Sequence, residues 1–183
     1  MQNYSVNMIE DKKVDESSLH PRDEHGRFSE KGVMELTEAE RQKLLDYLEN
    51  EEYIDYKGIH VSERKIYSVQ KGKYTDEVKA CLVLIERGFE VYLLDEQYTR
   101  SDKADIFFKK GEERDFMELK ETVDKITTQY NRSVSQSPNC LITVTGYFSK
   151  IQKKNLIDAV SRNKNAKNVY VYLEKEKQLL KIK

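Results

Sequence analysis

Asp105, Glu118 and Lys120 stand at spacings that could do chemistry. Residues 103–108 read Lys-Ala-Asp-Ile-Phe-Phe and residues 114–120 read Arg-Asp-Phe-Met-Glu-Leu-Lys, both rich in strand-forming types. Between them Gly111 precedes Glu112, and glycine at the first central position is what a type II′ hairpin turn takes. A turn centred on Gly111 and Glu112 pairs position 105 with position 118. Directly opposed residues share a face of a sheet, with Cβ atoms about 4.5–5.5 Å apart. Alternation then places Phe116, Glu118 and Lys120 on one face, with Met117 and Leu119 on the other.

Two carboxylates that close repel unless a cation lies between them. An all-oxygen pair without thiolates suits Mg²⁺ or Mn²⁺ better than zinc. The neighbouring ammonium of Lys120 can orient an attacking water or stabilise charge that develops on a phosphoryl oxygen. The plainer alternative is a surface strand with a cross-strand Lys–Glu pair. In a chain with 36% charged residues, Glu-x-Lys triplets arise by chance. The chemical reading therefore rests on all three residues sharing one hairpin between two helices.

The elements that must hold this hairpin are legible from about residue 71 onward. Residues 75–87 carry Val78, Cys81, Leu82 and Ile85 at helical spacing and stop before Gly88. Strands are expected near 90–95, 104–108, 114–120, 140–145 and 168–173, with a sixth at Leu-Leu-Lys-Ile-Lys. A helix with Val123, Ile126, Tyr130 and Val134 on one face follows the Glu-Leu-Lys strand, and Ser149 caps a further helix running to about Asn163. The order is α-β-β-β-α-β-α-β, an α/β fold with a mixed sheet flanked by helices. Upstream, Thr37 and Glu40 stand in capping-box spacing ahead of Leu44, Leu45 and Leu48, which predicts one amphipathic helix. Residues 53–70 read as short strands or extended chain. The expected organisation is a linker arm over 1–35, a connector over 36–70 and the α/β domain over 71–183.

Composition sets limits on function. The 183 residues are 38% hydrophobic, enough for one core. Cys81 and Cys140 each lie in an apolar run without CxxC spacing, so they read as buried reduced thiols of a cytoplasmic chain. No apolar stretch approaches the roughly 20 residues of a membrane span, and residues 1–13 lack the apolar run of a signal peptide. No membrane partner is expected. The net charge of −1 is unevenly spread: residues 1–70 hold 10 Lys/Arg against 16 Asp/Glu, and residues 125–183 hold 12 against 3. Such a basic half fits a polyanionic partner, although a solvated Lys-rich surface would have the same composition. His20 and His25 flank Asp23 and Glu24, but their spacing matches no zinc pattern.

Asp105 after Ala104, followed by Glu118-Leu119-Lys120, with a helix on either side, resembles the D-x(n)-(D/E)-x-K signature of the PD-(D/E)XK, or restriction-endonuclease-like, nucleases. The likeness covers roughly residues 74–174, and Ala104 stands where the family often has proline. A narrower likeness is to the C-terminal nuclease domains of bacterial contact-dependent inhibition and polymorphic toxins, several of them tRNases. In those a helix bearing a glutamate precedes the hairpin, as Glu77 does here. The resemblance implies an α-β-β-β-α-β core, metal-dependent phosphodiester hydrolysis, Asp105, Glu118 and Glu77 as metal ligands, and RNA of the tRNA type as substrate, with DNA as the other option. It also implies an immunity protein as partner. Thr122, Thr127 and Arg132 fall on or near the following helix, where such toxins lie close to substrate, and Arg132 is the best phosphate contact because of its forked donors. A solvated helix face would look the same.

The segment His-Pro-Arg-Asp-Glu-His-Gly-Arg-Phe (20–28) resembles a motif near the ends of phage minor head or head-morphogenesis proteins. It implies a module carried by a phage or mobile element, or delivered into a target cell. Two rivals follow: a non-catalytic phage structural or adaptor protein, and a DNA-specific resolvase or repair nuclease of the same fold.

Overall fold

Gly111, at φ +62°, turns the chain between β4 (Ile106–Lys110) and β5 (Glu113–Thr122) in this computed structural model, which describes residues 38–95 and 104–183. Glu112 keeps a negative φ, so only the first central residue is left-handed, as a type II′ turn requires. The register runs from Lys110 opposite Glu113 to Ile106 opposite Met117, symmetric about the turn.

The remaining elements are α1 (Glu38–Glu49), β1 (Tyr53–Tyr56), β2 (Ile59–Ser62), α2 (Glu63–Gln70), α3 (Thr75–Ile85), β3 (Glu90–Leu93), α4 (Ile126–Ser133), β6 (Cys140–Val144), α5 (Lys150–Arg162), β7 (Val169–Leu173) and β8 (Gln178–Lys181). Among the described residues, eight strands form one mixed sheet in chain order. β3, β4 and β5 form an antiparallel meander, whereas β5, β6 and β7 are parallel and joined by the α4 and α5 crossovers. Parallel neighbours need such crossovers, because a tight turn can join only antiparallel strands. α2 and α3 make the same kind of crossing between β2 and β3.

The pleat divides the core. Met117, Leu119, Ile106, Phe108 and Leu141 pack under Ala80, Cys81 and Leu84 of α3. On the opposite face, Cys140, Ile142 and Val144 pack under Ile126 and Tyr130 of α4 and Leu156 and Val160 of α5. Phe107 and Phe116 meet Leu45 and Leu48 of α1. β6 is buried along its whole length, the pattern of a central strand covered on both sides. Both cysteines are free and buried, and burial pushes the Cys140 thiol up to about 12.

Several expectations are corrected. Residues 53–62 are the expected short strands, β1 and β2, and they join the same sheet, but residues 63–70 form the helix α2 and not extended chain. The second strand begins at Ile106 instead of 104. Val123 is not on a helix face: β5 continues through Thr122, whose Oγ1 accepts the Lys125 N–H at 3.0 Å, and the helix starts only at Ile126. Val123 is left 64% exposed. Readings that fall on 1–37, including His20, His25, the phage-like segment and the Thr37 cap, lie outside the described residues. Among the described residues no helix is long and apolar enough to cross a membrane.

Candidate functional site

β5 changes partner at Glu118. Residues 113–117 pair with β4, and residues 118–122 pair with β6. Asp105 lies one residue before β4, just past the last pair, Ile106 opposite Met117, so it stands where the two strands part. Successive strand N–H groups point to opposite edges. The Glu118 N–H donates to Asn139 O on the β6 side at 3.0 Å, which turns the Leu119 N–H toward the edge that β4 has left. Asp105 Oδ2 accepts that N–H at 2.8 Å, standing in for the absent strand. A bond of this kind to a carboxylate contributes about 1.5–3 kcal/mol.

Glu118 is 1% exposed, and its Oε1 pairs with the Lys120 ammonium two residues along the same face. Lys120 also acts on Asp105. Burial raises the Asp105 carboxyl above its ordinary range, against the pull of the Leu119 N–H and of Lys120, while Glu77 pushes it up further. Lys120 is thus the common cation of the two carboxylates. Across the sheet, Glu118 faces Cys140 and contributes to raising that thiol, after burial itself.

Glu77, in the first turn of α3, is half-buried and lines a cleft of about 170 Å³ with Asp76, Ala80, Leu119, Lys120, Glu121 and Thr143. The cleft wall is acidic: burial and then Asp76 raise the Glu121 carboxyl, and Lys79 bridges Asp76 and Glu174 at 3.8 Å each. Asp105 and Glu118 do not line it. The structure thus links Lys120 to both Asp105 and Glu118, with Glu77 in electrostatic reach of Asp105 from the neighbouring helix.

The expected substrate residues are more scattered. Thr122 is buried at the end of β5 and serves the turn into α4, not a helix face. Thr127 is partly exposed in the first turn of α4, and Arg132 is exposed in its last turn.

Lys65 escaped the sequence reading. It is 5% exposed, donates to Leu94 O at 3.0 Å, and lies 3.9 Å from the Tyr74 ring centroid. The Leu94 N–H in turn donates to Asp105 O at 3.1 Å, so Lys65 braces the backbone that presents Asp105, and its charge draws the Asp105 carboxyl down. The available signal was Lys65 and Val69 at i, i+4 spacing on what proves to be α2, both buried.

As donors, Asp105, Glu118 and Glu77 suit a hard dication: they are all carboxylates, and the repulsion that Glu77 exerts on buried Asp105 is what a cation would relieve. Among the described residues, no three His, Cys, Asp or Glu side chains are gathered closely enough to hold a metal ion. A metal would therefore have to draw Glu77 or the Lys120-bound Glu118 inward. The chain matches no family model, no curated protein and no solved structure.

Proposed function

We propose that this chain is a metal-dependent endonuclease that hydrolyses phosphodiester bonds, acting on RNA of the tRNA type as the toxin module of a phage- or mobile-element-associated system, on a restriction-endonuclease-like core. The observation that supports this is the junction where β4 leaves β5, with Asp105 bonded to the Leu119 N–H next to Glu118 and Lys120 acting on both carboxylates. Order along the chain supports it, since α3 with Glu77 precedes the meander and two βα crossovers follow. The preference for RNA rests on the resemblance to toxin domains.

Asp105 and Glu118, with Glu77, would hold Mg²⁺ or Mn²⁺, whose bound form supplies Lewis-acid activation of water and of a phosphoryl oxygen. Lys120, once Glu118 is otherwise engaged, is released to orient the water or neutralise charge on the phosphate. Lys65 keeps Asp105 in place through Leu94. Arg132, exposed on α4, would take a phosphate.

The test is incubation of the purified chain with total RNA and with plasmid DNA, in Mg²⁺, Mn²⁺, Zn²⁺ or EDTA. Cleavage that requires Mg²⁺ or Mn²⁺ and is lost in Asp105→Ala and Glu118→Gln supports the reading. EDTA-resistant cleavage retained in both variants refutes it. One observation favours a second reading, a non-catalytic structural module: the closed Glu118–Lys120 pair together with the absence of a gathered donor set among the described residues. Inactivity of the wild-type chain on every nucleic acid and metal selects that reading.

A further inference from the structure

The rim beyond Lys120 carries large apolar side chains in water. Tyr147 is 75% exposed, Ile151 72% and Val123 64%. Val123 comes from the β5–α4 connection, Tyr147 from the β6–α5 connection and Ile151 from the first turn of α5, and the two connections are fastened to each other. A Cβ on Gly146 would lie 2.1 Å from Val123 O, so only glycine permits this approach. The Thr145 N–H donates to Thr122 O at 3.0 Å, and Gln152 Nε2 donates to Asp124 O at 2.8 Å. Gln152 is itself held in the capping box with Ser149 at the start of α5. The three side chains therefore stand on a braced rim.

The charge around them is net positive. Residues 145–155 contain three lysines and no acid, and Lys125 offsets Asp124 in the facing loop. Lys125, Lys150 and Lys154 are exposed. Lys150 takes the first position of α5, where the helix dipole favours an acid and none is found. An apolar face flanked by an excess of cations suits a polyanion with flat hydrophobic parts. A stable protein interface covers about 800 Å² per partner, far more than three side chains offer.

We infer that Tyr147, exposed on the same rim as Val123 and Ile151, is a stacking platform for an unpaired base, and that Lys125, Lys150 and Lys154 hold the flanking phosphates of the same strand. This rests on the nuclease reading for its substrate and deepens it: the chain takes a single-stranded or looped segment. Val123 lies three residues beyond Lys120, roughly 10 Å along the chain at about 3.3 Å per residue, so the stacked base is displaced from the scissile bond. A duplex, whose bases already stack on one another, cannot use the platform.

The test is fluorescence anisotropy of the full chain with a labelled single-stranded RNA oligonucleotide and with its duplex, in EDTA to block cleavage. Tyr147→Ala should weaken single-strand binding by about 5- to 150-fold with the salt slope unchanged, Tyr147→Phe should bind as wild type, and duplex binding should be the same for all three. Lys150→Gln with Lys154→Gln should lower the salt slope on the single strand by about 1.4, at about 0.7 per lost phosphate contact. Circular dichroism confirms that each variant folds. Unchanged affinity in Tyr147→Ala overturns the inference, as does failure of the wild type to bind any oligonucleotide, or a wild-type dimer in sedimentation that Tyr147→Ala dissolves. Single-strand binding through Tyr147 without cleavage in any metal sustains the platform while removing the nuclease reading. Cleavage with Tyr147→Ala binding normally removes the platform alone.

Discussion

Replacing Lys120 by methionine keeps the length of the side chain and removes the cation beside Glu118. Glu118 is 1% exposed, so its carboxylate cannot turn to solvent for compensation. Removing one partner of a buried ion pair costs about 3–5 kcal/mol. The Lys120 side chain is 28% exposed, so water can enter where the ammonium stood, and we take the low end, about 3 kcal/mol. For a unit of the size of Leu36–Lys183, each kcal/mol moves Tm by about 2–4 °C, which makes the expected loss in EDTA roughly 6–12 °C. Glu118→Gln combined with Lys120→Met should lose less than Lys120→Met alone, because no charge is then left buried. If the carboxylates take a dication, Mn²⁺ at 100 times its Kd returns about 2.7 kcal/mol. That recovery should be greater in Lys120→Met than in wild type, where Lys120 competes for Glu118. Differential scanning calorimetry with and without Mn²⁺ measures both effects. A Tm in EDTA unchanged by Lys120→Met would show that the pair does not support the buried carboxylate. Recovery absent from both proteins would remove the metal site.

Asp105→Asn should stabilise the chain at neutral pH while abolishing hydrolysis. Burial raises the carboxyl above its ordinary 3.8, so the folded state holds this proton more tightly than the unfolded chain, and stability is lost as pH rises from 3.8 through the raised value. The advantage of the variant in Tm should therefore grow from acid to neutral pH; an advantage that grows on acidification would contradict it. Gly146→Ala sets a Cβ 2.1 Å from the Val123 carbonyl, which is backbone and cannot swing aside, and should cost roughly 1–3 kcal/mol in urea unfolding. Asn139→Ala removes the 2.7 Å bond to Phe116 O and the Oδ1 that accepts from Asn168, all buried, and should cost about 2–3 kcal/mol by the same assay. Arg132→Ala should weaken nucleic-acid binding equally across sequences and lower the salt slope by about one, read by anisotropy.

Local chemistry was enough to locate the hairpin. Gly111 admits a left-handed φ, the strand residues alternate, and the register out to Ile106 opposite Met117 follows from counting away from the turn. The α3, α4 and α5 helices and the buried strand at 140–144 were likewise legible, because each carries its own apolar period or an unbroken apolar run. The α4 boundary was not: Val123 fits a helical stripe by spacing, but hydrogen bonding of β5 to β6 holds Thr122 extended. β1 and β2 were legible only as short strands or extended chain, and α2 was missed, because an eight-residue helix carries too little pattern to outweigh its polar residues. The sequence placed Glu118 and Lys120 side by side, since two-residue periodicity demands it. Only the tertiary structure decided that β5 exchanges β4 for β6 at Glu118, that Asp105 fills the vacated edge, and that Lys65 braces it from α2, because long-range strand pairing and burial depend on elements far apart in the chain.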